Sequence, residues 1–268
     1  MKKYIYSLKS LSSLILSPRG GAAFYKDLGQ FDETEVQMDT QFLKDDQPKI
    51  IYPFYRYGLY ERYAPEEAQF YIPGSSVKGS LFHLDSLEKK EKQQGMFTGN
   101  NTVMVDDIIV PNGTVVLRNL YKLQYLDDPE KTVFETFFEN VAVEMVKADT
   151  NLEGTIYLPE EKLLINQIEK NNEKTKKKIQ QMLRFVKDLQ NEEKLKNEEV
   201  QLVLLRICEN LSELQDETNL ILLGGYKGLL HSILLPDKKD SHENVQNGLY
   251  IDKETYLPHG ILRIRKLN

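Results

Sequence analysis

The residues best suited to chemistry stand in YIPGSSVKGSL, 71–81, where Gly74, Ser75, Ser76, Lys78 and Gly79 crowd one short turn. Ala68, Phe70 and Ile72 alternate with polar or amphipathic neighbours, as in a short strand. Pro73 ends that strand, because it has no N–H for a ladder. Gly74 permits a positive φ or a close backbone approach, and Ser75 or Ser76 suits the N-cap of a helix. A helix N-terminus behind a glycine offers N–H groups and a positive dipole end to a phosphate. Lys78 in the first turn opposes that dipole, which points to an anion, although a capped turn with a solvated lysine uses the same residues. A nucleoside triphosphate is not expected here. In the Walker A loop the lysine follows the second glycine, whereas Lys78 precedes Gly79.

Two other stretches repeat the theme of glycine beside a cation. SPRGG holds Arg19, Gly20 and Gly21, and LGGYKGLL holds Gly224, Gly225 and Gly228 around Lys227. IYPFYRYGLYERY, 51–63, interleaves Arg56 and Arg62 with tyrosines. Such a segment can stack bases, or it can pack as a hairpin on the core or on a partner.

The elements that must position these residues read as follows. Residues 3–16 form a long strand, because apolar residues alternate with Lys9, Ser10, Ser12 and Ser13 instead of forming a signal-peptide core. Residues 24–50 are an acidic flap with weak periodicity. A short helix follows Pro73. VMVDDIIV and TVVLRNLYKLQYL are strands around the PNG turn. Residues 133–148 split into a short turn and a strand from about 139, and GTIYL is the next strand. From about 160 to 215 the spacing is helical, with a break near 191–197. Ile179, Met182, Val186 and Leu189 make one apolar stripe, and Val200, Leu204, Ile207 and Leu211 another. Strands return at 219–223, 229–235 and 260–266. Strands with few, non-alternating helices indicate an α+β fold with antiparallel sheet. A single ferredoxin-like (RRM-like) β-α-β-β-α-β domain over 1–268 fits, with 160–215 as a helical insertion.

Composition bounds the function. The chain of 268 residues is 40% hydrophobic and 28% charged, ordinary for a soluble protein. No apolar run reaches transmembrane length. One cysteine, Cys208, fits a reducing, cytoplasmic compartment. One cysteine and four scattered histidines argue against structural zinc, and no cofactor is expected. A net charge of −6 disfavours a stand-alone nucleic-acid binder and favours a subunit that binds RNA with its neighbours. Acid gathers between Asp27 and Asp46, and base gathers in Lys176, Lys177 and Lys178.

PGSSVKGSL followed far downstream by LGGYKGLL resembles the RAMP superfamily of CRISPR effector proteins. MVDDIIV looks like the family's strand with an acidic turn after the first helix. VEMVKADTNLEGTIYL looks like its glycine–threonine strand segment, and LPHGILRI looks like the closing element of terminal RAMP subunits in type III complexes. The resemblance spans residues 3–266 with the motifs in order. It implies a prokaryotic ribonucleoprotein whose partners are guide RNA (crRNA), target RNA and other RAMP subunits. It further implies that the glycine loops and their cations hold RNA phosphates, and that the chain is most similar to the subunit capping the 3′ end of the guide. Nucleases of the superfamily use a histidine or a loop aspartate. His83 and His231 lie near the glycine loops, and Asp27, Asp32 and Asp39 occupy the aspartate's stretch. None of these acids stands in the family's D-x-P-V setting, so no catalytic residue is expected. A protein-interaction subunit without RNA contact is the other reading of the acidic balance.

Overall fold

The alternation along Lys2–Ser10 becomes β1, which turns Tyr6, Leu8 and Ser10 to the interior. The computed structural model describes residues 1–16, 22–32, 36, 48–82, 103–125, 128, 130–224, 226, 228–234 and 248–267. In it, β1 pairs antiparallel with β11 (Asn151–Leu158) on one side and β15 (Ile261–Lys266) on the other. β5 (Met104–Val105) joins β11, and β12 (Leu220–Leu222) joins β15, giving the order β12-β15-β1-β11-β5. Helix α1 (Gly74–Phe82) comes between β1 and β5 in the chain, and α2 (Glu161–Gln190) follows β11. The succession β1, α1, β5, β11, α2, β15 is the β-α-β-β-α-β core, with other elements inserted. Val77 and Leu81 of α1 and Leu164 and Ile168 of α2 pack with Tyr6, Leu8, Ile156 and Ile264 of the sheet.

Two smaller sheets extend this core. One has the order β14 (Leu257–Pro258), β13 (Leu249–Asp252), β8 (Tyr121–Gln124), β9 (Val133–Thr136). The other runs β2 (Phe24–Tyr25), β3 (Ile50–Tyr52), β10 (Val141–Val146), β7 (Val115–Arg118), with β3 parallel to β10. β4 (Tyr71–Ile72) pairs with β6 (Ile108–Ile109) beside α1.

The later part of α2 and all of α3 (Glu198–Glu213) cover the sheet that contains β8 and β13. Ile179, Met182, Val186, Val200, Leu204, Ile207 and Leu211 are buried there with Leu123, Leu249 and Ile251, so both expected stripes are core. The chain breaks between the helices at 191–197, as the spacing predicts. Asn197 restarts it, because its side-chain oxygen accepts the Glu199 and Val200 N–H groups at 3.1 and 3.2 Å. Asn197→Ala is expected to cost about 1 kcal/mol, read as a lower urea midpoint at unchanged slope.

The structure departs from two local expectations. Residues 133–136 form β9, a strand, because they pair with β8 through the turn that follows Gln124. The predicted strand at 229–235 begins instead with a helical turn, α4 (Leu229–Ser232). His231 and Ser232 N–H both close onto the Gly228 carbonyl, while Lys178 and Gln181 of α2 cap the carbonyls of Ser232, Leu230 and Ile233. Lys176 donates to the Gln215 carbonyl, so only Lys177 of the basic run is exposed. The acidic flap lies largely outside the described residues. Its described parts hold β2, a 3-10 turn at Lys26–Leu28 and the start of β3. No described helix is long and apolar enough to cross a membrane.

Candidate nucleic-acid interface

The lysine turn is built against the acidic link, Asp106 and Asp107, between β5 and β6. α1 begins at Gly74, and the Pro73 carbonyl accepts the Ser76 and Val77 N–H groups at 2.9 and 3.3 Å. Pro73 thereby takes the capping position expected of Ser75 or Ser76. The Gly74 N–H donates to Asp107 Oδ1 at 2.7 Å. A Cβ on Gly74 would lie 2.0 Å from the Val105 carbonyl oxygen, so glycine is required by this backbone approach. The first N–H of the helix is therefore held by a carboxylate of the chain itself. Lys78 is half-buried, and its Nζ donates to the Val103 carbonyl at 2.8 Å.

Ser75 and Gly79 are exposed on the same helix. Gly79 has open space where a Cβ would stand. Nothing among the described residues demands a glycine there, and glycine in a helix costs about 1 kcal/mol relative to alanine.

The C-terminal glycine loop lies beside the root of the N-terminal one. A Cβ on Gly224, whose φ is +106°, would stand 2.5 Å from the Ile15 carbonyl oxygen, just before SPRGG. Ser80 Oγ on α1 donates to the Leu222 carbonyl at 2.8 Å, joining the lysine-turn helix to the strand that leads into that loop. Two loop roots and one end of α1 thus gather around the end of β12. Gly228 packs under Gly248, where a Cβ would meet the Gly248 carbonyl oxygen at 2.2 Å. Arg19, Gly20, Gly21, Gly225 and Lys227 lie outside the described residues, as do His83 and Asp39.

The tyrosine-rich segment divides by residue. The Arg56 side chain is only 7% exposed, and its Nη2 lies 2.5 Å from Glu144 Oε2. Its guanidinium carbon stands 5.2–5.6 Å from the ring centroids of Phe24, Tyr60, Tyr63 and Phe70. It is thus a packing residue, out of reach of a base. Tyr57 and Tyr71 stack at 4.1 Å near the outer surface, and Tyr57 donates to Asp107.

Sequence reasoning missed a sealed polar cluster. Ser13 Oγ lies 2.8 Å from His259 Nδ1, and the Ser13 N–H donates to Asp252 Oδ2 at 2.8 Å. Arg118 approaches Asp252 and pairs with Glu254. Serine, histidine and aspartate here are not a hydrolytic triad. Asp252 holds the serine backbone and not the imidazole, and all three residues are buried. Burial pushes the His259 pKa down to about 4. Among the described residues, no group of three or more His, Cys, Asp or Glu side chains is placed to hold a metal ion.

No protein-family model matches the chain, and no curated protein does. Among solved structures it is similar to a chain of a Csm–crRNA–target RNA ternary complex of a type III-A CRISPR-Cas system, seen by cryo-electron microscopy. The TM-score is 0.51 at 11% identity, and the alignment covers 98% of this chain and 100% of the other. The likeness is one of fold: a mixed α+β protein with antiparallel sheets on a ferredoxin-like core.

Proposed function

We propose that the chain is a non-catalytic guide-RNA-binding subunit of a type III CRISPR effector complex, the one capping the 3′ end of the guide. The full-length likeness to a chain of a crRNA-containing complex carries this reading. The convergence of glycine loops around β12, with an exposed Gly79 on the adjoining helix, supports it. Glycine-lined backbone and lysines contact phosphates without reading sequence, as a guide carrier requires.

The test is co-purification with the neighbouring gene products, followed by sequencing of the bound RNA. Lys78→Ala and Lys227→Ala should each weaken guide retention equally for unrelated guide sequences. Each should flatten the salt dependence by about 0.7 in slope, one phosphate's worth for a single strand. Lys177→Ala, on an exposed stretch of α2, should change neither. An RNA-free complex, or a salt slope that moves with Lys177 and not with Lys78 or Lys227, overturns the proposal.

A further inference from the structure

Lys122 is a half-buried cation with no ion-pair partner among the described residues. It lies on β8, opposite Tyr250 of β13 and Glu135 of β9 in register. Its Nζ stands 4.4 Å from the Phe137 ring centroid and 5.1 Å from that of Tyr250. Among the described residues it makes no ion pair, not even with the exposed Glu135 across the ladder. Burial lowers its pKa, and no carboxylate offsets that effect.

Two glycines hold it in place. A Cβ on Gly248 would come within 2.6 Å of Lys122 Cε, and Gly228 packs on the Gly248 carbonyl. The lysine stem is thereby set against the C-terminal glycine loop. Tyr226 of that loop meets Tyr250 edge-on at 5.9 Å. Phe138 stacks edge-on against Phe137 at 4.3 Å and is 37% exposed.

We infer that Lys122, Tyr250, Phe137 and Phe138 form a nucleotide subsite for single-stranded RNA, with Lys122 taking a phosphate and the exposed Phe138 ring taking a base. The inference rests on the reading of the chain as an RNA-binding subunit. An acidic peptide would satisfy the ammonium but leave the flat ring face unused, whereas a nucleotide uses both. Gly248, beside Lys122, packs on Gly228, so one strand can reach the site from the end of the C-terminal glycine loop.

The test uses the assembled complex and a fluorescein-labelled single-stranded oligouridylate. Phe138→Ala should weaken binding roughly five- to a hundredfold, the range of one lost stack, at an unchanged melting temperature. Lys122→Met should flatten the salt slope by about 0.7, and Lys122→Arg should restore it. If Phe138→Ala and Lys122→Met bind as the parent does while Lys78→Ala or Lys227→Ala weakens binding, the subsite is overturned and the proposed function stands. Loss of a protein neighbour from the Phe138→Ala complex with RNA binding unchanged also overturns it. A parent complex that binds no RNA overturns both readings.

Discussion

Arg56→Ala is expected to destabilise the protein by about 3–5 kcal/mol, the cost of leaving a buried charge without its partner. The partner is Glu144, whose side chain is 1% exposed. Its carboxylate also accepts the Phe54 N–H at 2.8 Å and the Tyr63 hydroxyl at 2.9 Å. Burial already holds Glu144 above its usual pKa, and Arg56 is the foremost group opposing that shift. Without the guanidinium the carboxyl is pushed further up, so the folded variant holds its proton to higher pH than the unfolded chain does. The sign follows. The variant is most stable below the unfolded value of 4.5 and loses stability as pH rises. The gap to the parent should therefore be wider at neutral pH than at about pH 5. Urea melts of both proteins at the two pH values measure it. A loss under about 1 kcal/mol, equal at both, would show that the pair carries no more than a surface contact.

The ferredoxin-like core was legible because its elements obey simple periods. The alternation in β1 and the helical stripes of α2 and α3 each serve one buried face, so sequence spacing and packing agree. What was illegible depended on which partner a polar group finds. Arg56 among tyrosines has the composition of a base-stacking segment, and only the tertiary position of Glu144, 88 residues away, makes it a core residue. The Gly74 N–H is offered to a phosphate by local geometry, yet Asp107 reaches it from the link between β5 and β6, 33 residues on. Lys176 and Lys178 look like a solvated run but close the carbonyls of neighbouring turns. Lys122 carried no signal, because one lysine in a strand is ordinary. Its place depends on Gly248, far along the chain. Ser13 and His259 are equally remote in sequence, and their meeting follows from the pairing of β1 with β15.

Acid is expected to cost this protein stability before its exposed carboxylates titrate, and His259 is the reason. The imidazole is 3% exposed, and its Nε2 has no hydrogen-bond partner among the described residues. A neutral tautomer with its proton on Nδ1 leaves Nε2 a bare lone pair. Ionisation would put an N–H there with no acceptor. Burial therefore depresses the pKa from 6.5 to about 4, with Asp252 and Ser13 opposing the shift and Arg118 adding to it. The folded pKa lies below the unfolded one, so the unfolded chain takes a proton that the folded chain refuses. The stabilisation is complete above 6.5 and is lost as pH falls towards about 4. Across that interval it amounts to roughly 3 kcal/mol. The upper part of the window, from about pH 6.5 to pH 5, is nearly clear of carboxylate titration. There His259→Asn, which can still reach Ser13 but cannot ionise, should show a flatter dependence of urea midpoint on pH than the parent. The variant should be less stable than the parent at pH 7 and approach it as the medium becomes acidic. Parallel curves through that window, or an imidazole resonance of His259 that titrates above pH 6, would mean that the cluster is open to water and does not set the acid limit of the fold.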